Sequence, residues 1–186
     1  MVRINACVFI SGKGSNFKAI FKSSINDNFP IQIKLLVTSN MNADGIKFAK
    51  KADIPYVYFK NNNFLNELKI LKLIKQHKIS IILLAGYMKI LSKNFIKAFG
   101  KKIINIHPSL LPKYKGLNTY RRILKDNEKK SGCTVHYVNE KLDSGKIILK
   151  KIFYVSKNDN FLSLKKKTQK IEHLAYSQAI IKILKR

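Results

Sequence analysis

Tryptophan is absent from the 186 residues, and cysteine, proline and glycine are scarce at two, four and eight. Cys7 and Cys133 lie far apart, and neither has a Cys or His neighbour at metal-ligand spacing. That spacing excludes a zinc-finger framework and a disulfide scaffold. Both cysteines sit in apolar runs and read as buried, reduced thiols. So little proline and glycine excludes a collagen. No apolar run approaches the roughly 20 residues of a membrane span. The start of the chain has one short apolar stretch, Ala6 to Ile10, a lone Arg3 and then a glycine-rich segment. This does not read as a signal peptide, so a cytosolic chain with no membrane partner is expected.

Acidic residues are also few, ten against 37 basic ones, for a net charge of +27. Basic proteins of this size often bind nucleic acid. Yet only four of the basic residues are arginines (Arg3, Arg121, Arg122 and Arg186), and 33 are lysines spread along the chain. Base reading and bidentate phosphate clamping favour arginine. Lysine, isoleucine, asparagine and phenylalanine, all abundant here, have A/T-rich codons. Compositional drift therefore accounts for the charge, and no specific nucleic-acid partner is expected. The positive field still favours encounter with small anions.

What is present is an ordinary globular composition, 46% hydrophobic and 25% charged, at a length that suits one domain. Apolar strand-like runs alternate with helical patterns, which predicts an α/β fold with a mainly parallel sheet. Strands are expected at Arg3 to Ile10, Ile31 to Val37, Tyr56 to Tyr58, Ser80 to Ala85 and Lys102 to Ile106. Helices are expected at Asn16 to Ile25, Ala43 to Ala52, Phe64 to His77, Lys93 to Phe99, Leu117 to Lys125 and Leu162 to Leu184. Thr134 to Val138 and Ile147 to Val155 read as an antiparallel pair at the sheet edge. No repeat or linker divides the chain, and the Asn61-Asn62-Asn63 triplet is too short for one.

Three segments carry residues suited to chemistry. Ser11-Gly12-Lys13-Gly14-Ser15-Asn16 lies between the first strand and the first helix. Glycines there let the backbone approach an anion, and a helix N-terminus aims N–H groups at it. The segment fits neither a Walker A loop nor the dinucleotide fingerprint, since Phe17 stands where a third glycine belongs. A phosphate of a smaller ligand and a plain strand-to-helix turn both remain open. The second segment, Asn105-Ile106-His107-Pro108-Ser109-Leu110-Leu111-Pro112, puts Asn105 and His107 two apart at a strand's C-terminal end. Their side chains then share a face, at the end of an open sheet where ligands bind. An amide donor can stabilise an oxyanion, and an imidazole can move a proton near neutral pH. The third, Leu142-Asp143-Ser144-Gly145, is a turn whose aspartate can pair with a histidine and raise its pKa.

These three segments and Ala85-Gly86-Tyr87-Met88-Lys89-Ile90-Leu91 occur in one order, and together the sequence resembles the phosphoribosylglycinamide formyltransferase family over nearly its whole length. The resemblance implies a single-domain, Rossmann-like formyltransferase fold over residues 1–186, a mainly parallel sheet flanked by helices with an antiparallel edge. It implies transfer of the formyl group of 10-formyltetrahydrofolate to the amine of glycinamide ribonucleotide in purine synthesis. Catalytic roles fall on Asn105, His107 and Asp143. The substrate's phosphate falls on Gly12, Lys13, Gly14, Ser15 and Asn16, and its ribose on Glu172. The folate pocket falls on Met88, Lys89, Ile90, Leu91, Asn105, Asn139, Glu140, Lys141, Leu142 and Asp143. The formyl-folate is a co-substrate; no tightly bound cofactor and no metal are expected. The implied partners are small molecules only, with the chain a monomer or weak homodimer. The related methionyl-tRNA and hydrolase enzymes carry an extra domain for which no residues are expected here. Family members often carry an arginine where Asn61 to Asn63 stand, and histidines where Asn118 and Tyr120 stand.

Overall fold

The computed structural model describes residues 2–61 and 63–184, so Asn62 of the asparagine triplet lies outside it. The chain divides between Ile104 and Asn105 into two compact units.

In the first unit, strands β1 (Ile4–Ile10), β2 (Ile31–Thr38), β3 (Tyr56–Tyr58) and β4 (Ile81–Leu84) alternate with helices α1 (Ser15–Ser24), α2 (Asp44–Lys51) and α3 (Phe64–Gln76). Parallel pairing joins β1 to both β2 and β4, and β2 to β3. Val8, Phe9, Ile10, Leu36, Val37, Ile82 and Leu83 are buried, the continuous apolar pattern of strands covered on both faces. Helix α1 buries Asn16, Phe17, Ile20 and Ser24, one stripe at helical spacing. Helix α3 starts where the Asn63 side chain accepts the Asn66 amide at 2.9 Å, and α4 (Lys93–Phe99) where Ser92 accepts the Phe95 amide at 3.0 Å. Both are N-caps that satisfy an otherwise orphaned donor. Buried Glu67 of α3 receives the amide and the hydroxyl of Ser92, which locks the start of α4 to α3.

Strand β5 (Lys102–His107) runs across the division. The second unit continues with α5 (Thr119–Lys125), β6 (Lys130–Tyr137), β7 (Ile147–Tyr154) and α6 (Phe161–Leu184). Strands β6 and β7 pair antiparallel, and α6 packs on both through Leu164, Ala175, Tyr176, Ala179 and Ile180. The strand order is β3-β2-β1-β4-β5-β6-β7 in one seven-stranded sheet. The fold is therefore the α/β architecture expected, mainly parallel with an antiparallel edge.

One strand departs from expectation: β6 starts at Lys130, four residues before Thr134. Gly132 is a strand residue where a Cβ would stand 2.0 Å from the Lys151 carbonyl oxygen. A glycine inside a strand marks such a close approach. Both cysteines are buried and free, and burial pushes the thiol of Cys7 up and that of Cys133 up to about 12. No helix among the described residues is long and apolar enough to cross a membrane.

Candidate active site

The residues singled out in sequence fall into both units. In the first, β1 ends at Ile10 and the chain turns through Gly12 and Lys13, both exposed, into α1. Gly14 takes the N-cap position at φ 68°, in the left-handed region, and offers no side-chain cap. A side chain there would be strained, and its Cβ would stand 3.1 Å from the Gly45 Cα. The turn is thus built from backbone, with the first amides of α1 lacking the side-chain cap that α3 and α4 carry.

Ser11 ties this turn to the Met88 segment. Its amide donates to the Gly86 carbonyl at 3.1 Å, and its hydroxyl accepts the Met88 amide at 2.8 Å. The same hydroxyl lies 2.7 Å from that of Ser39 at the end of β2. Met88, Lys89 and Ile90 are exposed and Leu91 is buried. Met88 and Ile90 are thus exposed apolar side chains of the segment that Ser11 anchors. Sequence reasoning placed these segments separately and gave Ser11 no role of its own; its hydroxyl beside Gly12 was the available signal.

In the second unit, Asn105, His107 and Asp143 do come together. The Asp143 carboxylate meets both of the others: its Oδ2 is 3.3 Å from His107 Nδ1, and its Oδ1 is 3.5 Å from Asn105 Nδ2. The Gly116 amide donates to Oδ2 at 2.9 Å. Asp143 is itself held in the left-handed region at φ 46°, a conformation uncommon outside glycine. His107 Nε2 faces the Tyr114 carbonyl at 2.8 Å. That carbonyl belongs to the loop after His107, whose ends are pinned. Ser109 donates to the Lys113 carbonyl at 2.6 Å, and Thr134 of β6 donates to the Ser109 carbonyl at 2.7 Å. Tyr114 is fixed in turn through its hydroxyl, whose one proton lies between the carboxylates of Asp126 at 2.8 Å and Glu128 at 2.9 Å.

The electrostatics correct one expectation. Burial pushes the His107 imidazole below its ordinary pKa, and this exceeds the upward pull of the Asp143 charge and the Tyr114 carbonyl. Asp143 was expected to leave the ring raised; it does pull upward, but a ring 5% exposed loses more hydration than one neighbouring carboxylate returns. For Asp143 the balance runs the other way. Burial raises it, but the His136 ring, the Gly116 amide and the His107 ring together bring it to about 2. The site at neutral pH holds an anionic carboxylate beside an imidazole that burial holds below its ordinary pKa.

His136 was not singled out in the sequence, yet it completes the cluster. It is 2% exposed on β6, with Nε2 at 3.3 Å from Asn105 Nδ2 and 3.5 Å from Asp143 Oδ1. A histidine at an inward position of a strand, two residues after Thr134, was the available signal. Asn139 to Leu142 form the exposed loop that delivers Asp143, with the Lys141 amide on the Asn139 side chain at 3.0 Å. Glu172 is buried on α6; burial of the Tyr120 phenol, and after it the Glu172 charge, push that phenol up. Among the described residues no three His, Cys, Asp or Glu side chains form a group able to hold a metal ion.

An amide donor, a buried imidazole and a carboxylate at one strand end suit acyl-type transfer, and similarity to known proteins agrees. Residues 4–180 match the Formyl transferase family. Over 177 residues the chain is 38% identical to the phosphoribosylglycinamide formyltransferase of Haemophilus influenzae, covering 93% of this chain and 84% of that one. It is 35% identical over 181 residues to that of Bacillus subtilis, covering 95% and 93%. The crystal structure of phosphoribosylglycinamide formyltransferase from Brucella melitensis superposes with a TM-score of 0.92 at 37% identity, covering 99% of this chain and 97% of that one. The chain belongs to the phosphoribosylglycinamide formyltransferase family.

Proposed function

We propose that this enzyme transfers the formyl group of 10-formyltetrahydrofolate to the amine of glycinamide ribonucleotide, with all 186 residues acting as one catalytic domain. The observation that carries the residue roles is the meeting of Asn105, His107 and Asp143 through one carboxylate. The neutral substrate amine attacks the formyl carbon, which gains an alkoxide oxygen and leaves the nitrogen cationic. Asn105 Nδ2–H stabilises the alkoxide. The neutral His107 ring takes the proton from the cationic nitrogen and delivers it to the folate N10 as the carbon–N10 bond breaks. Formyl-ribonucleotide and tetrahydrofolate result. Asp143 stabilises the ring while it carries that proton.

Since both His107 nitrogens face acceptors in the resting site, one of them exchanges its partner for substrate. The backbone turn Gly12 to Asn16 receives the ribonucleotide phosphate, and Glu172 the ribose hydroxyls. Exposed Met88 and Ile90, with Lys89, Leu91 and the Asn139–Asp143 loop, receive the folate. The reading calls for no metal, no tightly held cofactor and no specific nucleic acid. It puts the enzyme in the cytoplasm as a monomer or weak homodimer.

The test is an absorbance assay of purified protein with a formyl-folate and glycinamide ribonucleotide. Saturable release of deformylated folate is expected. Formylation of charged methionyl-tRNA, with no turnover of the ribonucleotide, sinks the reading.

A further inference from the structure

We propose that His136, held as the neutral Nδ1–H tautomer, is the positioning residue that orients the Asn105 carboxamide toward the reacting carbonyl. The proposal rests on the formyl-transfer reading above for its kinetic consequence, but its structural content does not.

Which atoms around the ring accept and which donate sets its tautomer. His136 Nδ1 is 2.8 Å from the Tyr137 carbonyl oxygen, which only accepts, so Nδ1 carries a proton. An ionised Asp143 also only accepts, and the Asn105 side-chain nitrogen is 3.5 Å from its Oδ1. A flipped Asn105 would set an amide oxygen against the carboxylate, so the Nδ2 end faces Asp143. His136 Nε2 is then 3.3 Å from a donor and 3.5 Å from the Asp143 Oδ1 oxygen, so two partners compete for it. The nearer is the donor, and the Nε2 lone pair accepts from it, which makes the ring neutral. A proton on Nε2 would turn instead to the carboxylate and leave the Asn105 hydrogen without this acceptor, in a place the ring leaves 2% exposed.

The backbone serves this aim. Val135 pairs with Leu149 but His136 pairs with Ile147, so β7 carries Ile148 as an extra residue at that step. A bulge of this kind re-aims a neighbouring side chain and is frequent beside active sites. With His136 on one Asn105 hydrogen, the other, at a longer distance from Asp143, is the one an incoming carbonyl oxygen takes. The amide plane and its flip are set before substrate arrives, the preorganisation an oxyanion donor needs. His136 touches no substrate in this scheme and acts only through Asn105.

Two measurements decide it. In the ¹⁵N-histidine-labelled free enzyme at neutral pH, two-bond proton–nitrogen correlation should show His136 protonated on Nδ1 and bare on Nε2, the resonances assigned by their loss in His136→Gln. A neutral Nε2–H tautomer, or an imidazolium, overturns the proposal whatever the substrate proves to be. In the formyl-transfer assay, His136→Phe keeps the ring and removes the acceptor. Its kcat should fall by roughly 10²-fold, the effect of a misplaced catalytic group, while the ribonucleotide KM stays within about twofold. His136→Gln, which returns an acceptor oxygen near the Nε2 position, should recover most of that loss. Equal losses in the Phe and Gln variants at equal melting temperature would mean a packing role and overturn it. Should His136→Phe not fold, the spectrum and the Gln variant still decide; absence of ribonucleotide turnover in the wild type would sink the functional reading and leave the tautomer test intact.

Discussion

The turn after β1 and the cluster at the end of β5 are two different ways to build a site. The turn uses main chain: Gly14 in the left-handed region, amides of α1, and Ser11 as a tie to Gly86 and Met88. The cluster uses side chains: Asn105, His107, His136 and Asp143, three of them less than a tenth exposed. Amides do not titrate, so a backbone cradle holds an anion with a constant field at any ordinary pH. Buried imidazoles and carboxylates do titrate, and their pKa values are set by what surrounds them. On the proposed function, the difference gives pH dependence and chemistry to residues 105–186, and binding of the substrate's anion to the Gly12–Asn16 turn.

The largest expected effect tests the side-chain half. His107→Ala removes the proton relay and should lower kcat by roughly 10²–10⁴-fold; near-normal turnover in a variant with a native circular dichroism spectrum would break the comparison. Next, Asn105→Ala should lower kcat by roughly 10²–10³-fold, the usual loss of an oxyanion donor, with the ribonucleotide KM little changed.

Asp143→Asn keeps the shape and withdraws the charge. The upward pull on His107 disappears, so the ring falls further below its ordinary pKa. The limb on which the rate rises with rising pH should then move to lower pH, with a smaller kcat loss than in His107→Ala. Stability gives an independent reading of the same charge. Asp143 is depressed to about 2 in the folded state. Its contribution is fully present above the unfolded carboxyl pKa and is lost as pH falls from about 4 toward 2. His107, also depressed, adds a loss that begins as pH falls below about 6.5. Urea midpoints measured down the acid range should therefore decline in two stages in the wild type, and the lower stage should shrink in Asp143→Asn.

The backbone half should answer in binding. Gly14→Val forces a β-branched residue into the left-handed region, at roughly 1–2 kcal/mol, against Gly45. The ribonucleotide KM should rise by about tenfold, since 1.4 kcal/mol is a factor of ten, while the folate KM and the pH profile stay put. Equal rises in both Michaelis constants would erase the distinction between the two regions. The smallest effect belongs to neither. Replacing exposed Lys157, Lys166 and Lys170 by Gln should change turnover less than about twofold at physiological salt, where charges are screened beyond roughly 8 Å. Tight, site-specific tRNA binding at that salt, lost in this variant, would show the lysine excess to be more than drift.

The sequence by itself determined the elements and the motif residues, because both are local. Hydrophobic periodicity is a property of a few consecutive residues, and it places β3 and α4 at their observed bounds and α1 and α3 within a residue. The spacing of Asn105 and His107 likewise puts both side chains on one face, since strand side chains alternate. Tertiary structure decided what depends on distant segments meeting. The start of β6 follows from Gly132 lying against Lys151, nineteen residues on. His136 joins the cluster only because β6 lies where the 143 turn and the end of β5 converge on it. The direction of the His107 shift is of the same kind. A neighbouring carboxylate is one pairwise attraction that a motif can suggest, whereas desolvation sums over every segment that excludes water from the ring, and no local pattern carries that sum.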